Sequence, residues 1–272
     1  MRARLLLAVL CLFASLPGGA QVNEVRPPFV TTPLEVVDAM LRLAKVSAAD
    51  TLIDLGSGDG RIVIAAARDF GATATGVELD ENLVRVSQRA AQAAGVSAHT
   101  RFFAENALRF DLSSASVVTV YLLPSLMDQL QARFLDSLRP GTRIVSHAFT
   151  MTGWRPDRSE TVPLLERHPS QGDTSILHLW VVPAQVRGAW AGEAAGLGAI
   201  EVRIEQNFQQ IELAMRGGEA ALEVREARLS GAEIGWRAGG AVFRGRVNGA
   251  VIEGLAGIGG RELPFRLERR VN

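Results

Sequence analysis

The composition of the chain is that of a folded globular protein, and it argues against several classes of function. Of its 272 residues, 47% are hydrophobic and 21% are charged. At about 150 residues per domain, this length predicts two domains. Basic and acidic side chains balance at 29 each, so the formal net charge is zero. A neutral chain has no global attraction for nucleic acid or for an anionic surface, and we predict neither as a partner.

Residues 1–20 have the pattern of a secretory signal peptide. Two arginines precede an apolar run, residues 5–14, which is followed by a proline and by small residues that end at Ala20. The run is too short to cross a bilayer, which takes roughly 20 residues. We therefore predict cleavage before Gln21, a secreted or periplasmic protein and no stable membrane insertion. A buried first helix or a membrane anchor is the alternative.

Cysteine usage agrees with an oxidising compartment. The only cysteine, Cys11, lies inside the predicted signal peptide. Leu10 before it does not suit a lipid-attachment sequence, so no lipid anchor is predicted. The mature chain would then contain no thiol, which excludes disulfides and thiolate metal sites. The spacing of His168 and His178 does not suggest metal ligands, and we predict no metal.

The next part of the chain, residues 21–183, alternates between helical and extended patterns. Apolar residues recur at helical spacing from Pro33, with Thr32 as the cap. Strands then alternate with helices of 10 to 15 residues, which predicts an α/β fold with a doubly wound, parallel, Rossmann-like sheet. The predicted parallel strands are TLIDLG, GATATGVELD, HTRFFAEN, ASVVTVYLLP and TRIVSHAF. Two further runs, ETVPLLER and TSILHLWVVP, predict an antiparallel hairpin at the end of this sheet.

The last part, residues 184–272, changes to short runs of period two. In AIEVRIEQ, Ile200, Val202 and Ile204 share one face and charged residues occupy the other. Similar runs recur to the end of the chain, separated by turn signals such as RGGE and NG. We predict an all-β accessory domain, a small antiparallel barrel or sandwich of six to eight strands. Three aromatic residues are assigned to its core: Trp190, Trp236 and Phe243.

The stretch DLGSGDGRI, residues 54–62, leaves the first parallel strand and enters a helix. Ligands bind outside the carboxyl ends of such strands, where helix amino termini and bare amide groups face them. The glycines at 56, 58 and 60 let the backbone approach a ligand closely. Glu78 follows Gly56 by twenty-two positions, the spacing at which a carboxylate binds two ribose hydroxyls. Together these features predict a nucleoside-containing ligand.

The acidic residues in this loop indicate which nucleoside-containing ligand it would bind. A dinucleotide favours G-x-G-x-x-G, whereas this loop is G-x-G-x-G and carries Asp54 and Asp59. Two acids repel a phosphate but attract a sulfonium cation with an α-amino group, which favours S-adenosylmethionine. The alternatives are that both acids only form turns, or that the chain is a nucleotide-dependent oxidoreductase. This stretch lacks the oxygen spacing that is expected of a calcium-binding loop.

Five ordered motifs, FVTTP, DLGSGDGRIVIAAA, GVELDENLV, YLLPSLMDQL and HAFTMTGWRPD, resemble those of class I S-adenosylmethionine-dependent methyltransferases. The resemblance is greatest to the group that includes mitochondrial protein-lysine methyltransferases acting on the ATP synthase c subunit and on the adenine nucleotide translocase. It spans residues 29–183. It implies a seven-stranded methyltransferase sheet, S-adenosyl-L-methionine as methyl donor, and a protein lysine or a small molecule as acceptor.

The resemblance also implies residue roles. Asp54 would contact the methionine moiety and Glu78 the ribose. Asn106 stands where the family usually has an aspartate near the adenine amino group. Ten residues are assigned to the donor site: Thr32, Asp54, Gly56, Ser57, Gly58, Asp59, Gly60, Glu78, Leu79 and Asn106.

At the acceptor end the resemblance assigns Tyr121 and Pro124 as catalytic, since YLLP follows the fourth strand and would face the methyl group. The YLLP sequence differs from the D/N-P-P-Y sequence that binds planar amides, and this difference argues against adenine or glutamine as acceptor. Tyr121 would orient an amine or would simply be a buried strand residue. His147 is predicted to be a satisfied residue near a strand end, with a base as the alternative. Trp154 packs a loop or walls the acceptor pocket.

One alternative belongs to a different functional class. A secretory signal would place the protein where S-adenosylmethionine is not known to be supplied, so an envelope ligand- or partner-binding protein with an inactive methyltransferase-like domain is also considered. The intact motif residues between Asp54 and Arg61, and Glu78, favour an active enzyme. The oligomeric state is not predicted.

Overall fold

The computed structural model describes residues 30–169 and 171–270. The predicted signal peptide, residues 1–20, lies outside the described residues. Within the described part of the chain, no helix is both long and apolar enough to span a membrane.

Residues 34–181 form a seven-stranded sheet with helices packed against it. The elements in chain order are α1 (Leu34–Leu43), β1 (Thr51–Leu55), α2 (Arg61–Phe70), β2 (Thr73–Glu78), α3 (Glu81–Ala93), β3 (Thr100–Ala104), β4 (Val117–Val120), α4 (Pro124–Ser137), β5 (Arg143–His147), β6 (Arg158–His168) and β7 (Gly172–Val181). The strand order is β3-β2-β1-β4-β5-β7-β6, with β7 antiparallel to both of its neighbours. The predicted doubly wound sheet with a terminal hairpin is confirmed.

The centre of this sheet explains where a ligand can bind. All four residues of β4 are buried, as are the last four of β1, because helices cover both faces. The chain winds outward from β1 in one direction and from β4 in the other, so the strand order reverses between these two strands. Loops leave such a switch point in opposite directions and open a crevice at the carboxyl ends of the strands. The loop after β1 and the segment after β4 both lie there.

A second sheet follows, and it has nine antiparallel strands rather than the predicted six to eight. They are β8 (Gly188–Ala194), β9 (Gly198–Asn207), β10 (Gln210–Gly217), β11 (Ala220–Leu222), β12 (Val224–Ser230), β13 (Glu233–Ala238), β14 (Ala241–Asn248), β15 (Val251–Ile258) and β16 (Arg261–Arg269). The order is β11-β10-β9-β8-β16-β15-β14-β13-β12. Only Glu223 separates the two end strands, so the sheet curls back on itself like a barrel.

The prediction missed strands that carry no clear pattern. β8 has the sequence GAWAGEA, in which small residues hide the alternation, and β11 is three residues long. The predicted core residues are correct, since Trp190, Trp236 and Phe243 are at most 2% exposed. The rings of Trp236 and Phe243 stack at 4.7 Å between centroids.

The two sheets contact each other through the turn between β9 and β10. Phe208 stacks on Trp154 with ring centroids 5.3 Å apart, and the Trp154 indole nitrogen donates to Gln209 Oε1 at 2.9 Å. Trp154 is 1% exposed, so it packs the loop after β5 and does not wall an open pocket. The predicted division between residues 183 and 184 falls in the link from β7 to β8, and independent folding of the two parts stays a prediction.

Candidate active site

The glycine loop connects β1 to α2 at the switch point of the first sheet. Gly56 has φ +76°, which favours glycine, and the amides of Gly56 and Ser57 both donate to Val77 O, at 2.9 and 3.0 Å. A Cβ atom on Gly56 would lie 2.8 Å from Leu122 Cδ2. The loop is thus tied to β2 on one side and approaches the segment after β4 on the other.

Ser57, predicted to line the ligand, turns its side chain into the protein. Its hydroxyl is buried, has no hydrogen-bond partner among the described residues, and lies where a Cβ on Gly76 would be 2.6 Å away. The Ser57 side chain therefore faces β2.

Asp54 is the buried carboxyl group of the site. It lies near the end of β1, is 2% exposed, and accepts a hydrogen bond from Thr119 Oγ1 at 2.8 Å. Burial raises the pKa of Asp54 to about 7; the Thr119 hydrogen bond opposes this, and the negative charges of Glu78 and Asp59 add to it. A buried carboxylate that lacks a cation is electrostatically unfavourable. The position is suited to a positively charged ligand group.

Asp59 is neutralised within the protein, contrary to the sequence argument. Arg61 Nε donates to Asp59 Oδ1 at 2.9 Å and Nη2 donates to Oδ2 at 2.6 Å. The third nitrogen, Arg61 Nη1, donates to Thr32 O at 2.8 Å and so ties the loop to the segment before α1. The attraction for a cation therefore comes from Asp54 and Glu78, whereas Asp59 orients Arg61.

Glu78, at the end of β2, is held beside the glycine loop. Its Oε2 accepts from the Gly58 amide at 2.9 Å and its Oε1 accepts from the Asp80 amide at 3.0 Å. Leu79 follows, half-buried. Asn106 lies after β3, where its Oδ1 accepts from the Leu108 amide at 2.8 Å. The structure thus brings the predicted donor-site residues of β1, β2 and β3 to one edge of the sheet.

These features fit S-adenosylmethionine. The close approach at Gly56 leaves a backbone cradle that a side chain would fill. Asp54 is a buried carboxyl group, which suits a ligand with cationic groups, and Glu78 is a carboxylate at the end of the second strand, the position from which folds of this type bind ribose hydroxyls. A doubly wound seven-stranded sheet with this loop after β1 and this acid after β2 defines the class I S-adenosylmethionine-dependent methyltransferases.

An aromatic group lies around Tyr121, the residue that the sequence assigned to the acceptor end. Tyr121 follows β4 and its ring lies 4.1 Å from the His147 ring, between centroids. Phe149 and His168 are 6.1 and 6.5 Å from the Tyr121 ring. Pro124 is exposed at the first position of α4, where proline suits the backbone; it offers no proton-transfer group.

His147 is a buried residue with partners on both ring nitrogens, as the sequence predicted. It ends β5, is fully buried, and contacts Thr32 Oγ1 through Nδ1 at 3.2 Å. Its Nε2 lies 3.0 Å from Ser175 Oγ and 2.8 Å from Gln171 Nε2. Burial is the main cause that lowers the pKa of His147 to about 4, and the nearby His168 also lowers it. The hydrogen bond with Gln171 acts in the opposite direction. The imidazole is therefore neutral at physiological pH.

Three residues of this cluster were not predicted as site residues: His168, Gln171 and Ser175. They come from the hairpin of β6 and β7. Because β7 runs antiparallel to β5, its first residues extend past His147, beyond the carboxyl edge of the sheet. The only signal in the sequence was the hairpin itself, since periodicity does not give its register.

Comparisons with known proteins agree with this class. Residues 54–158 match the model of the ANTKMT methyltransferase domain. A protein-lysine N-methyltransferase of Saccharolobus islandicus is 42% identical over 130 residues, 47% of this chain and 81% of that protein. The lysine N-methyltransferase of the ATP synthase c subunit from Xenopus laevis is 37% identical over 48% of this chain and 55% of its own length.

One similar solved structure contains a bound ligand that is related to the methyl donor. An RNA methyltransferase from Salinibacter ruber, in complex with S-adenosyl-L-homocysteine, is 44% identical, covers 58% of this chain and 96% of that one, and superposes with a TM-score of 0.52. The chain belongs to the family of ANTKMT-type methyltransferases. It is an S-adenosylmethionine-dependent enzyme, and the comparisons give no support to the alternative of an inactive domain.

Proposed function

We propose that this chain methylates the side-chain amine of lysine in a protein. The aromatic group around Tyr121 carries the proposal, because aromatic faces attract alkylammonium groups. Relatives from Saccharolobus islandicus and Xenopus laevis are named as lysine N-methyltransferases, which supports the same acceptor class.

The chemistry of an amine acceptor suits this environment. S-adenosylmethionine supplies an electrophilic methyl group on a sulfonium, and the acceptor must be a neutral amine to attack it. The aromatic faces would bind the lysine as an ammonium, and neither these rings nor the uncharged His147 carries a negative charge that would hold its proton against loss before the attack. In this proposal Tyr121 orients the amine, and Pro124 fixes the backbone that presents Tyr121.

Labelled methyl transfer tests the acceptor. The purified chain is incubated with tritium-labelled S-adenosylmethionine and three acceptors: a lysine-containing peptide pool, the same pool with arginine in place of lysine, and an RNA oligonucleotide. We expect label only in the lysine pool, recovered as N-methyllysine after acid hydrolysis. Label in RNA, or equal label in the arginine pool, would refute the proposal.

RNA is disfavoured as acceptor, although the Salinibacter ruber relative is named an RNA methyltransferase. The net charge of this chain is zero, and nucleic-acid binding depends on unpaired cationic charge. Exposed arginines of the second sheet pair with glutamates on neighbouring strands, as Arg266 does with Glu253 at 2.9 Å and Arg237 with Glu226 at 2.7 Å.

Nine of the ten predicted donor-site residues, all except Asp59, form the proposed cofactor site, and a substitution of Glu78 tests it. Replacing Glu78 by alanine removes the carboxylate proposed for the ribose and the acceptor for the Gly58 amide. We expect at least a tenfold loss of affinity for S-adenosylmethionine, about 1.4 kcal/mol, in isothermal titration. Glu105→Ala, at the next strand end and exposed, is the matched control and should bind normally. NAD should bind neither protein, and unchanged affinity in the Glu78 variant would contradict the assignment.

We also propose an extracytoplasmic location, on the signal-peptide pattern of residues 1–20. After expression of the whole chain in a bacterial host, the periplasmic fraction should contain a protein whose first residue is Gln21. A variant with arginine at Leu6 and Val9, which interrupts the apolar run, should stay in the cytoplasm. Uncleaved protein beginning at Met1 in the cytoplasm would exclude the proposal.

A further inference from the structure

A series of polar contacts runs from the tip of the β6–β7 hairpin to the segment before α1. Gln171 Nε2 lies 3.1 Å from Tyr121 Oη and 2.8 Å from His147 Nε2. On the other side of the imidazole, His147 Nδ1 lies 3.2 Å from Thr32 Oγ1. Both His147 and Thr32 are buried, at 0% and 5% exposure. The series connects the proposed acceptor and donor ends of the site.

The donor and acceptor properties of these groups determine which way each hydrogen bond in the series runs. A side-chain amide nitrogen only donates, so the two hydrogens of Gln171 Nε2 go to Tyr121 Oη and His147 Nε2. A neutral imidazole has one donor and one acceptor nitrogen. With Nε2 accepting, the proton is on Nδ1, and Nδ1–H donates to Thr32 Oγ1.

Ser175 does not decide the tautomer. Its Oγ also lies 3.0 Å from His147 Nε2, but a hydroxyl can donate as well as accept. Gln171 is the partner that fixes the direction, and Ser175 offers a matched control at the same nitrogen.

Thr32 is the end of the series, and its backbone is already fixed. Its carbonyl accepts from Arg61 Nη1 at 2.8 Å, while the carbonyl of the preceding Thr31 lies 3.3 Å from His168 Nε2. Because Thr32 Oγ1 accepts from His147, its own hydroxyl hydrogen cannot be donated back to that ring. The hydrogen is available to an acceptor elsewhere around Thr32.

We propose that Gln171 is a positioning residue: it sets the tautomer of His147 and thereby turns the Thr32 hydroxyl hydrogen toward the bound methyl donor. The acceptor that Thr32 would meet is an anionic oxygen, such as the ligand carboxylate. This rests on the proposed donor site, to which Thr32 belongs. Gln171 thus acts on the donor through two other side chains and does not touch it.

The first test reads the tautomer directly. The chain has four histidines, and long-range proton–nitrogen spectra of protein labelled with ¹⁵N in histidine resolve protonated from unprotonated ring nitrogens. The His147 signals are assigned by their loss in His147→Gln. We expect Nδ1 protonated in the unsubstituted protein. In Gln171→Glu the carboxylate accepts from Nε2–H, so the tautomer should reverse. Protonated Nε2 in the unsubstituted protein would overturn the proposal.

The second test measures the consequence with S-adenosylhomocysteine as the probe. Gln171→Glu should weaken its binding about tenfold, whereas Ser175→Ala should leave it within about twofold. In a Thr32→Val background, Gln171→Glu should have no further effect, since the two residues act through one interaction. Additive losses, or equal losses in the Gln171 and Ser175 variants, would refute the coupling.

The outcomes separate two kinds of failure. If the unsubstituted protein does not bind S-adenosylhomocysteine, the proposed donor site fails, and the role of Thr32 fails with it. If it binds but Gln171→Glu binds equally well, the donor site stands and the positioning role is wrong. Melting curves of each variant identify any that do not fold, and the tautomer is read in the unsubstituted protein, with His147→Gln needed only to assign the signals.

Discussion

Replacing Asp54 by asparagine should stabilise the ligand-free protein at pH 8 and at the same time abolish tight binding of S-adenosylmethionine. Asp54 is 2% exposed, and burial is the main cause that raises its pKa to about 7. An asparagine keeps an oxygen that accepts from Thr119, without the charge. We expect an increase of about 1–3 kcal/mol in the free energy of unfolding, measured by urea denaturation.

The pH dependence of this effect has a definite sign. The pKa of Asp54 is raised in the folded protein from an ordinary value of 3.8 to about 7. The folded state therefore holds its proton more tightly than the unfolded state does. The resulting stability is fully present below pH 3.8 and is lost as the pH rises through about 7. The advantage of Asp54→Asn should thus be absent near pH 4 and complete at pH 8.

Binding should depend on the same proton. A cationic ligand favours the ionised carboxylate, so binding below pH 7 should release a proton from Asp54. Titration calorimetry in two buffers of different ionisation enthalpy measures that release. The affinity of the unsubstituted protein should fall with decreasing pH below about 7, and Asp54→Asn should lose both the affinity and the proton release.

Asp50 is a control, because its pKa shift has the opposite sign to that of Asp54. Burial acts against its ionised form, but hydrogen bonds from Ser116 and Ser47 and the charge of Arg143 lower the pKa of Asp50 overall. Its stabilisation is present above the unfolded pKa and is lost at acid pH. Asp50→Asn should therefore destabilise the protein at pH 8 and leave ligand affinity unchanged. If both asparagine variants lose stability at pH 8, the electrostatic account of Asp54 is incorrect.

The positions of the glycine loop and of Glu78 in the fold could be predicted from the sequence because their geometry is local. The glycine loop and Glu78 end successive strands of one βαβ unit, in which handedness and strand order are nearly fixed. Charge is a less accurate guide than strand position: Asp59 is predicted to face the ligand, whereas Arg61, two residues on, pairs with both of its oxygens. Composition counts charges, but it does not say which of them are already paired.

The contacts that the β6–β7 hairpin makes with His147 could not be predicted in the same way. Gln171 and Ser175 reach His147 because β7 pairs antiparallel with β5 in one register, with His147 opposite Leu177. A shift of one residue would turn Ser175 to the other face of the sheet, and periodicity alone does not set the register. The nine-stranded sheet shows a related limit, because the short β11 and the small-residue β8 have no hydrophobic alternation to detect.

Replacing Gly60 by alanine should destabilise the protein by about 3 kcal/mol and weaken binding of S-adenosylmethionine. Gly60 has φ +79° and precedes α2, and a left-handed conformation costs a residue with a side chain about 1–2 kcal/mol. A Cβ there would also lie 2.8 Å from Phe102 Cε1 and from Ser87 Cβ, and relieving such overlap adds about 1–3 kcal/mol.

The overlap at Gly60 would also disturb the ligand loop. Ser87 Oγ donates to Gly58 O at 3.0 Å, so moving Ser87 removes a support of the loop. Gly95→Ala is the matched control, because Gly95 has φ +71° but a Cβ on it would meet no atom within 4 Å. It should lose only about 1 kcal/mol and keep its affinity. Equal losses of stability in the two variants, measured by urea denaturation, would show that the strain is conformational alone and that Ser87 and Phe102 yield without cost.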